Sequence, residues 1–258
     1  MRREASLTRV LPVRTRRLPA PDTLEYSFPD GYVCLVVDGG TDLTAALVSG
    51  LAGLGWRVVI LRFPAVSAIS RTTPSIEGVP VVSVVAVDEP SVATALESVT
   101  RGYGSVGAVV YLHPPSKCED GPLAIVGAND RPGLRSLFVL AKLLRREFSK
   151  AAGGVRTSFI TVTLMDGVLG TSGLLGDAPA AGDAPYAGGT IGLTKTLRME
   201  WPETFCRAID LDPAMGAEQA AVAILAELLD PDRRVVEVGY GPLGRITLEA
   251  VGVGEDEL

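Results

Sequence analysis

Short, unbroken apolar runs alternate along this chain with longer stretches in which apolar residues recur every three or four positions. The runs Tyr32–Asp38, Arg57–Phe63, Val79–Val87, Val106–Leu112, Thr157–Leu164 and Phe205–Leu211 have the composition of strands covered on both faces. Between them, Leu43–Leu54, Ser91–Arg101, about Pro132–Ala152, Thr190–Trp201 and Ala217–Leu229 have helical spacing. The longest of these sets Leu134, Leu137, Phe138, Ala141, Leu144 and Phe148 on one face. Arg234–Tyr240 and Arg245–Val251 read as two closing strands. Strands joined through crossover helices predict an α/β fold: a doubly wound parallel sheet with helices on both faces, spanning residues 31–251.

Two flanking segments break this rhythm. Pro12, Pro19, Pro21 and Pro29 oppose a helix anywhere in residues 1–30, which therefore read as an extended arm. Its first twenty residues carry six arginines against the single acid Glu4. Residues 252–258 form an acidic tail through Glu255-Asp256-Glu257. The stretch Gly167–Pro185, made of small residues, reads as a long loop over the carboxyl end of the sheet.

Composition narrows the partners. A formal net charge of −6 argues against nucleic acid, and no apolar run reaches membrane-spanning length. The N-terminal segment lacks the apolar core of a signal peptide. Cys34, Cys118 and Cys206 are far apart and odd in number, which suits free thiols in a reducing compartment. A soluble, cytoplasmic protein is expected.

Candidate chemistry begins where the first strand of the sheet enters Val37-Asp38-Gly39-Gly40-Thr41-Asp42-Leu43-Thr44-Ala45-Ala46. Strand, glycine turn and helix stand in the order of a dinucleotide fingerprint. A pyrophosphate needs open backbone N–H groups at the helix N-terminus. Here Asp38 and Asp42 bracket the turn, and Leu43 or Thr44 replaces the glycine that lets the phosphates approach. Asp42 reads more simply as the helix N-cap.

The second half carries a resemblance. Val162-Thr163-Leu164-Met165-Asp166-Gly167 leads to Gly189-Thr190-Ile191-Gly192-Leu193-Thr194-Lys195-Thr196-Leu197-Arg198-Met199-Glu200-Trp201-Pro202, then Phe205–Leu211, Leu228-Leu229-Asp230-Pro231 and Val236–Tyr240. These segments resemble the ketoreductase-like domains of polyketide and polyunsaturated fatty acid synthases, which have a Rossmann-like, short-chain dehydrogenase/reductase fold. More narrowly they resemble the non-catalytic half that precedes the working reductase. The resemblance spans about residues 20–251. It implies a serine ending the fifth strand, a Tyr-x-x-x-Lys or Tyr-x-x-x-Asn set on the next helix, and a nicotinamide cofactor as hydride donor. Leu164 falls near the serine's place, Asp183 at the tyrosine's and Ala187 at the Lys or Asn's. The nearby Tyr186 is followed four residues on by Thr190, without the cation that would lower its pKa. After the fourth strand, Leu112-His113-Pro114-Pro115-Ser116 replaces a glycine-ended turn.

The resemblance thus implies a degenerate reductase with a structural role. No catalytic residue is expected beyond the fallback Tyr186, and no cofactor is expected, with Gly39, Gly40 and Arg62 as vestiges of its site. Arg62 ends the second strand, where an arginine meets the 2′-phosphate in NADP enzymes; alone, it reads as a strand cap or a snorkelling side chain. His113, the only histidine, reads as a surface or packing residue, and Lys195 as part of a solvated face. Expected partners are a catalytic ketoreductase domain or other synthase domains, with an acyl carrier protein as a further candidate. The arginine-rich arm and the strand Arg245–Val251 are the candidate contacts. Two alternatives stay open: an active NADPH-dependent ketoreductase using a displaced Tyr186, and a module that holds an acyl carrier or small ligand in the crevice.

Overall fold

The computed structural model describes residues 12–24, 26, 28–64, 76–114, 131–151, 154–172 and 184–251. Its elements in chain order are β1 (Val13–Arg17), β2 (Tyr32–Val37), α1 (Asp42–Gly53), β3 (Val58–Arg62), β4 (Val81–Ser83), α2 (Glu89–Tyr103), β5 (Ser105–Leu112), α3 (Arg131–Ala151), β6 (Ser158–Thr163), α4 (Ala184–Glu200), β7 (Phe205–Leu211), α5 (Ala217–Leu229), β8 (Glu237–Gly241) and β9 (Gly244–Ala250). They build one nine-stranded sheet in the order β1-β9-β8-β7-β6-β5-β2-β3-β4. The seven strands from β8 to β4 are parallel, and β9 and β1 add to the β8 side as antiparallel strands.

The apolar runs become the central strands because each is covered twice. On one face, Val92, Ala95 and Val99 of α2 and Leu137, Leu140 and Leu144 of α3 pack on Val33, Leu35, Val109 and Phe159. On the other, Leu47 and Leu51 of α1 and Ile224 and Leu228 of α5 pack on Cys34, Val36, Val110 and Ile209. Adjacent residues of one strand thus serve opposite cores. This is the doubly wound arrangement that the apolar pattern predicts.

Several bounds differ from the sequence expectation. The run Val79–Val87 contributes only the three residues of β4, and the strand expected from Arg234 begins at Glu237. Helix α4 begins at Ala184 rather than Thr190, which shortens the expected loop from Gly167; residues 173–183 lie outside the described residues. Asp42 is not the helix N-cap: Thr41 takes that position with an extended backbone, and Asp42 sits exposed in the first turn.

The segment expected as an extended arm is laid against the sheet. After β1 pairs with β9, the Leu18 N–H donates to the Arg245 carbonyl and the Leu24 N–H to that of Leu229. The Tyr26 hydroxyl reaches the Arg156 carbonyl, and Phe28 stacks on Trp56 at 4.3 Å between centroids. Residues 12–28 therefore run as a strap from β9 past α5 to the end of α1. The closing strand is likewise not a free edge, because β1 occupies it. Cys34 and Cys206 are buried free thiols; Cys118 and the acidic tail lie outside the described residues.

Candidate functional site

In an open parallel sheet the crevice for ligands lies at the carboxyl ends of the strands, where the strand order reverses. Here that point lies between β2 and β5, and the glycine turn follows β2 directly. Asp38 is fully buried there. Its Oδ1 accepts the Gly40 N–H at 2.8 Å and the Thr44 hydroxyl at 2.9 Å, and its Oδ2 accepts Arg62 Nε at 2.9 Å. A backbone donor of the turn, a hydroxyl of the first turn of α1 and the guanidinium ending β3 thus converge on one internal carboxylate. Arg62 is neither a strand cap nor a snorkelling side chain: it neutralises Asp38.

The two glycines have local reasons to be glycine. Gly40 adopts φ of 76°, in the region that favours glycine. At Gly39 a side chain would meet the Leu112 Cβ at 2.9 Å, so the turn after β5 lies directly against the turn after β2.

That neighbouring turn is buried and bonded. His113 is 7% exposed, its N–H donates to the Val162 carbonyl, and its Nδ1 lies 3.0 Å from the Thr190 hydroxyl. It is a packed residue, not a surface one. Two residues before it, the Tyr111 hydroxyl donates to the Gly133 carbonyl at 2.8 Å and lies 3.0 Å from Ser136 Oγ. Burial pushes the Tyr111 phenol well above its ordinary value, against a smaller pull from Ser136.

Leu164 follows the end of β6. Leu164 packs into the α1–α5 core. Beside it, two acids organise the loop. Asp210 of β7 accepts the Thr163 hydroxyl and the Met165 and Leu169 N–H groups, each at 2.9 Å. Asp166 accepts the N–H groups of Val168, Gly170 and Ser172 at 2.8–3.0 Å. Burial pushes the Asp210 carboxyl up to about 7, against the hydrogen bonds from Met165, Leu169 and Thr163. Burial also acts on Asp166, but the N–H donors of Gly170, Ser172 and Val168 outweigh it and hold that carboxyl below its usual range. Gly167, at φ of 68°, presses on the Tyr240 backbone and fixes this loop on β8.

On α4, Ala187 is buried, Thr190 bonds His113, and Tyr186 lies one turn before Thr190. The Tyr186 side chain and all of Asp183 lie outside the described residues. Lys195 lies on a solvated face, with 51% of its side chain exposed, and its Nζ bridges both Glu237 oxygens at 3.0 Å. Among the described residues no group of histidines, cysteines and acids could hold a metal, and no helix is long and apolar enough to cross a membrane.

Sequence reasoning missed a buried ionic cluster on the far side of the sheet. Arg207 of β7 is fully buried, bonds Glu227 of α5, and donates to Asp230 at 3.3 Å and to the Asp232 carbonyl at 2.5 Å. Arg245 of β9 grips both Glu227 oxygens at 2.6 and 3.0 Å and Asp230 at 2.8 Å, while its remaining nitrogen reaches the Pro19 carbonyl at 2.8 Å. The Tyr240 hydroxyl completes the set on Glu227 at 2.6 Å. An arginine inside the apolar run FCRAIDL and a glutamate inside AEQAAVAILAELL were the available signals.

Comparison with known proteins bears on the fold. The chain is 31% identical over 236 residues to a polyunsaturated fatty acid synthase subunit from Thraustochytrium sp.; the match covers 90% of this chain and 8% of that much longer protein. Among solved structures, a 3-ketoacyl-(acyl-carrier-protein) reductase from Brucella melitensis complexed with NADH superposes with a TM-score of 0.61 at 16% identity, covering 80% of this chain and 95% of that one. A short-chain type dehydrogenase/reductase from Mycobacterium ulcerans gives 0.61 at 16% identity, over 82% and 88% of the two chains. No family model matches. The fold is that of the short-chain dehydrogenases/reductases, and the sequence is similar to one segment of a synthase polypeptide.

Proposed function

We propose that this ketoreductase-like domain of short-chain dehydrogenase/reductase fold is a catalytically silent half, which serves a fatty acid or polyketide synthase as a structural support for a catalytic ketoreductase. The observation that carries the reading is the Asp38 carboxylate. It takes the Gly40 N–H, the Thr44 hydroxyl and the Arg62 guanidinium for itself. The phosphates of a nicotinamide dinucleotide entering this turn would have to compete with that internal, Arg62-paired carboxylate for the same donors. On this reading the residues present do not fit the cofactor, and the chain transfers no hydride.

Leu164 and Thr190 support the same reading. The former cannot bind a substrate oxygen, and the latter bonds His113 instead of orienting a tyrosine. Similarity to part of a long synthase polypeptide supports such a role, with other synthase domains as the natural neighbours. The domain would comprise residues 31–251 together with the strap that precedes them, whose β1 belongs to the same sheet.

Titration with NADPH, followed by nucleotide fluorescence, tests the proposal. No saturable signal is expected up to the highest usable concentration. Saturable micromolar binding would overturn it in favour of an active reductase. That reading would then require Tyr186→Phe to abolish reduction of a β-ketoacyl thioester.

A further inference from the structure

The sheet has two edges of unlike character. The β4 edge is three residues long and parallel to its neighbour, whereas β1 is a five-residue antiparallel strand at the other end. The Pro12 carbonyl accepts from Val251 and the Leu18 N–H donates to Arg245, so even-numbered residues of β1 face β9. By alternation, Val13, Thr15 and Arg17 turn their N–H and C=O groups outward, and no described strand pairs with them. Such an edge is a template for one more strand.

The side chains decide which strand. Arg14 and Arg16 share one carboxylate, Glu249, at 3.1 and 4.0 Å, with 67% and 48% of their side chains exposed. Arg17 is exposed as well, so the edge keeps a net positive charge. A second copy is a poor occupant. Two-fold pairing centred on Thr15 would set Arg14 opposite Arg16 twice, and like charges directly opposed destabilise a ladder. An acid-rich strand would instead place carboxylates against both arginines.

We propose that the outer edge of β1 is a docking site for an extended, acid-rich segment of a partner polypeptide, which adds to the sheet as a tenth strand beside Val13–Arg17. The arginines have a double function there: they refuse another β1 and select the acidic partner. This goes beyond the silent-half reading and does not depend on whether the crevice binds a nucleotide.

The test uses the full chain with two short synthetic peptides, one of alternating Glu and Val and one of alternating Lys and Val. Amide hydrogen exchange at Thr15 and Arg17 is followed by NMR, together with fluorescence anisotropy of the labelled peptide. The acidic peptide is expected to bind saturably, to slow exchange at both amides by about tenfold or more, and to dissociate as salt rises. The basic peptide should do neither. Thr15→Pro removes one outward N–H while sparing the bonds to β9, and should abolish binding without shifting the melting temperature appreciably. Reversal of Arg14, Arg16 and Arg17 to Glu should exchange the preference between the two peptides. The proposal fails if the two peptides bind alike, or if the acidic peptide leaves both amides unprotected. It also fails if the amides are already protected in the chain alone, or if the chain self-associates through this edge.

Discussion

The acids at the crevice, buried except for the half-buried Asp166, and the buried acids beneath β9 do opposite work. Asp38, Asp166 and Asp210 accept mostly from turns close by in sequence or in the adjacent strand, and they shape loops at the mouth of the sheet. Glu227 and Asp230 accept from arginines on separate strands and, through Arg245 and Pro19, join segments 226 residues apart. The first group gathers backbone and hydroxyl donors at the mouth of the sheet; the second replaces apolar packing with a set of two cations and two anions. A domain that retained binding would need the first region open. A domain that keeps only its shape can close both.

The sharpest way to break this comparison is Glu227→Ala. It leaves Arg207 and Arg245 with Asp230 as their one shared carboxylate, and loss of one partner from a buried set costs about 3–5 kcal/mol. Urea unfolding should show that loss in the midpoint, while Arg207→Met combined with Glu227→Leu should recover part of it. A smaller change would mean that solvent reaches the cluster.

Asp210 at the crevice should answer to pH instead. The folded chain holds the Asp210 proton up to about 7, against about 3.9 for an unfolded aspartate. A raised carboxyl contributes fully below the unfolded value, and the contribution is lost as pH rises to about 7. Stability of the native chain relative to Asp210→Asn should therefore fall between those limits, by at most about 1.4 kcal/mol per pH unit. A flat difference across that window would show that the donors around Asp210, not burial, set its state.

Asp38→Ala is milder in stability and sharper in meaning. It leaves Arg62, the Gly40 N–H and the Thr44 hydroxyl without their shared acceptor, at about 1–3 kcal/mol. The same variant is the one in which nucleotide titration should first give a signal, since the internal anion is gone. Arg14→Ala should lie at the bottom of the scale, within about 1 kcal/mol, because its partner Glu249 is exposed.

The sheet was readable because β2, β3, β5, β6 and β7 are each covered on both faces and so are written as unbroken apolar runs. β1 was not, because a strand of Val, Thr and three arginines takes its conformation from β9 and not from burial. At the site, the residue types of the glycine turn and of the strand end at Leu164 were legible one by one. What Asp38 does instead was not: its acidity suggested repulsion of a ligand, while its three partners come from a turn, a helix and a second strand that meet only in the fold. The His113–Thr190 bond, 77 residues apart, leaves no local trace at all.

The strap sets a timetable. Strand β1 is made early, but its only described partner in the sheet is β9, and the Arg14–Glu249 contact closes a separation of 235 residues. Closure over so long a loop comes late, after the local βαβ units have formed. Until then a strand with one finished face and no neighbour must stay in solution through the whole synthesis of the sheet. Three arginines in five residues keep it there, so the charge on β1 also protects the unfinished chain from pairing with the wrong strand.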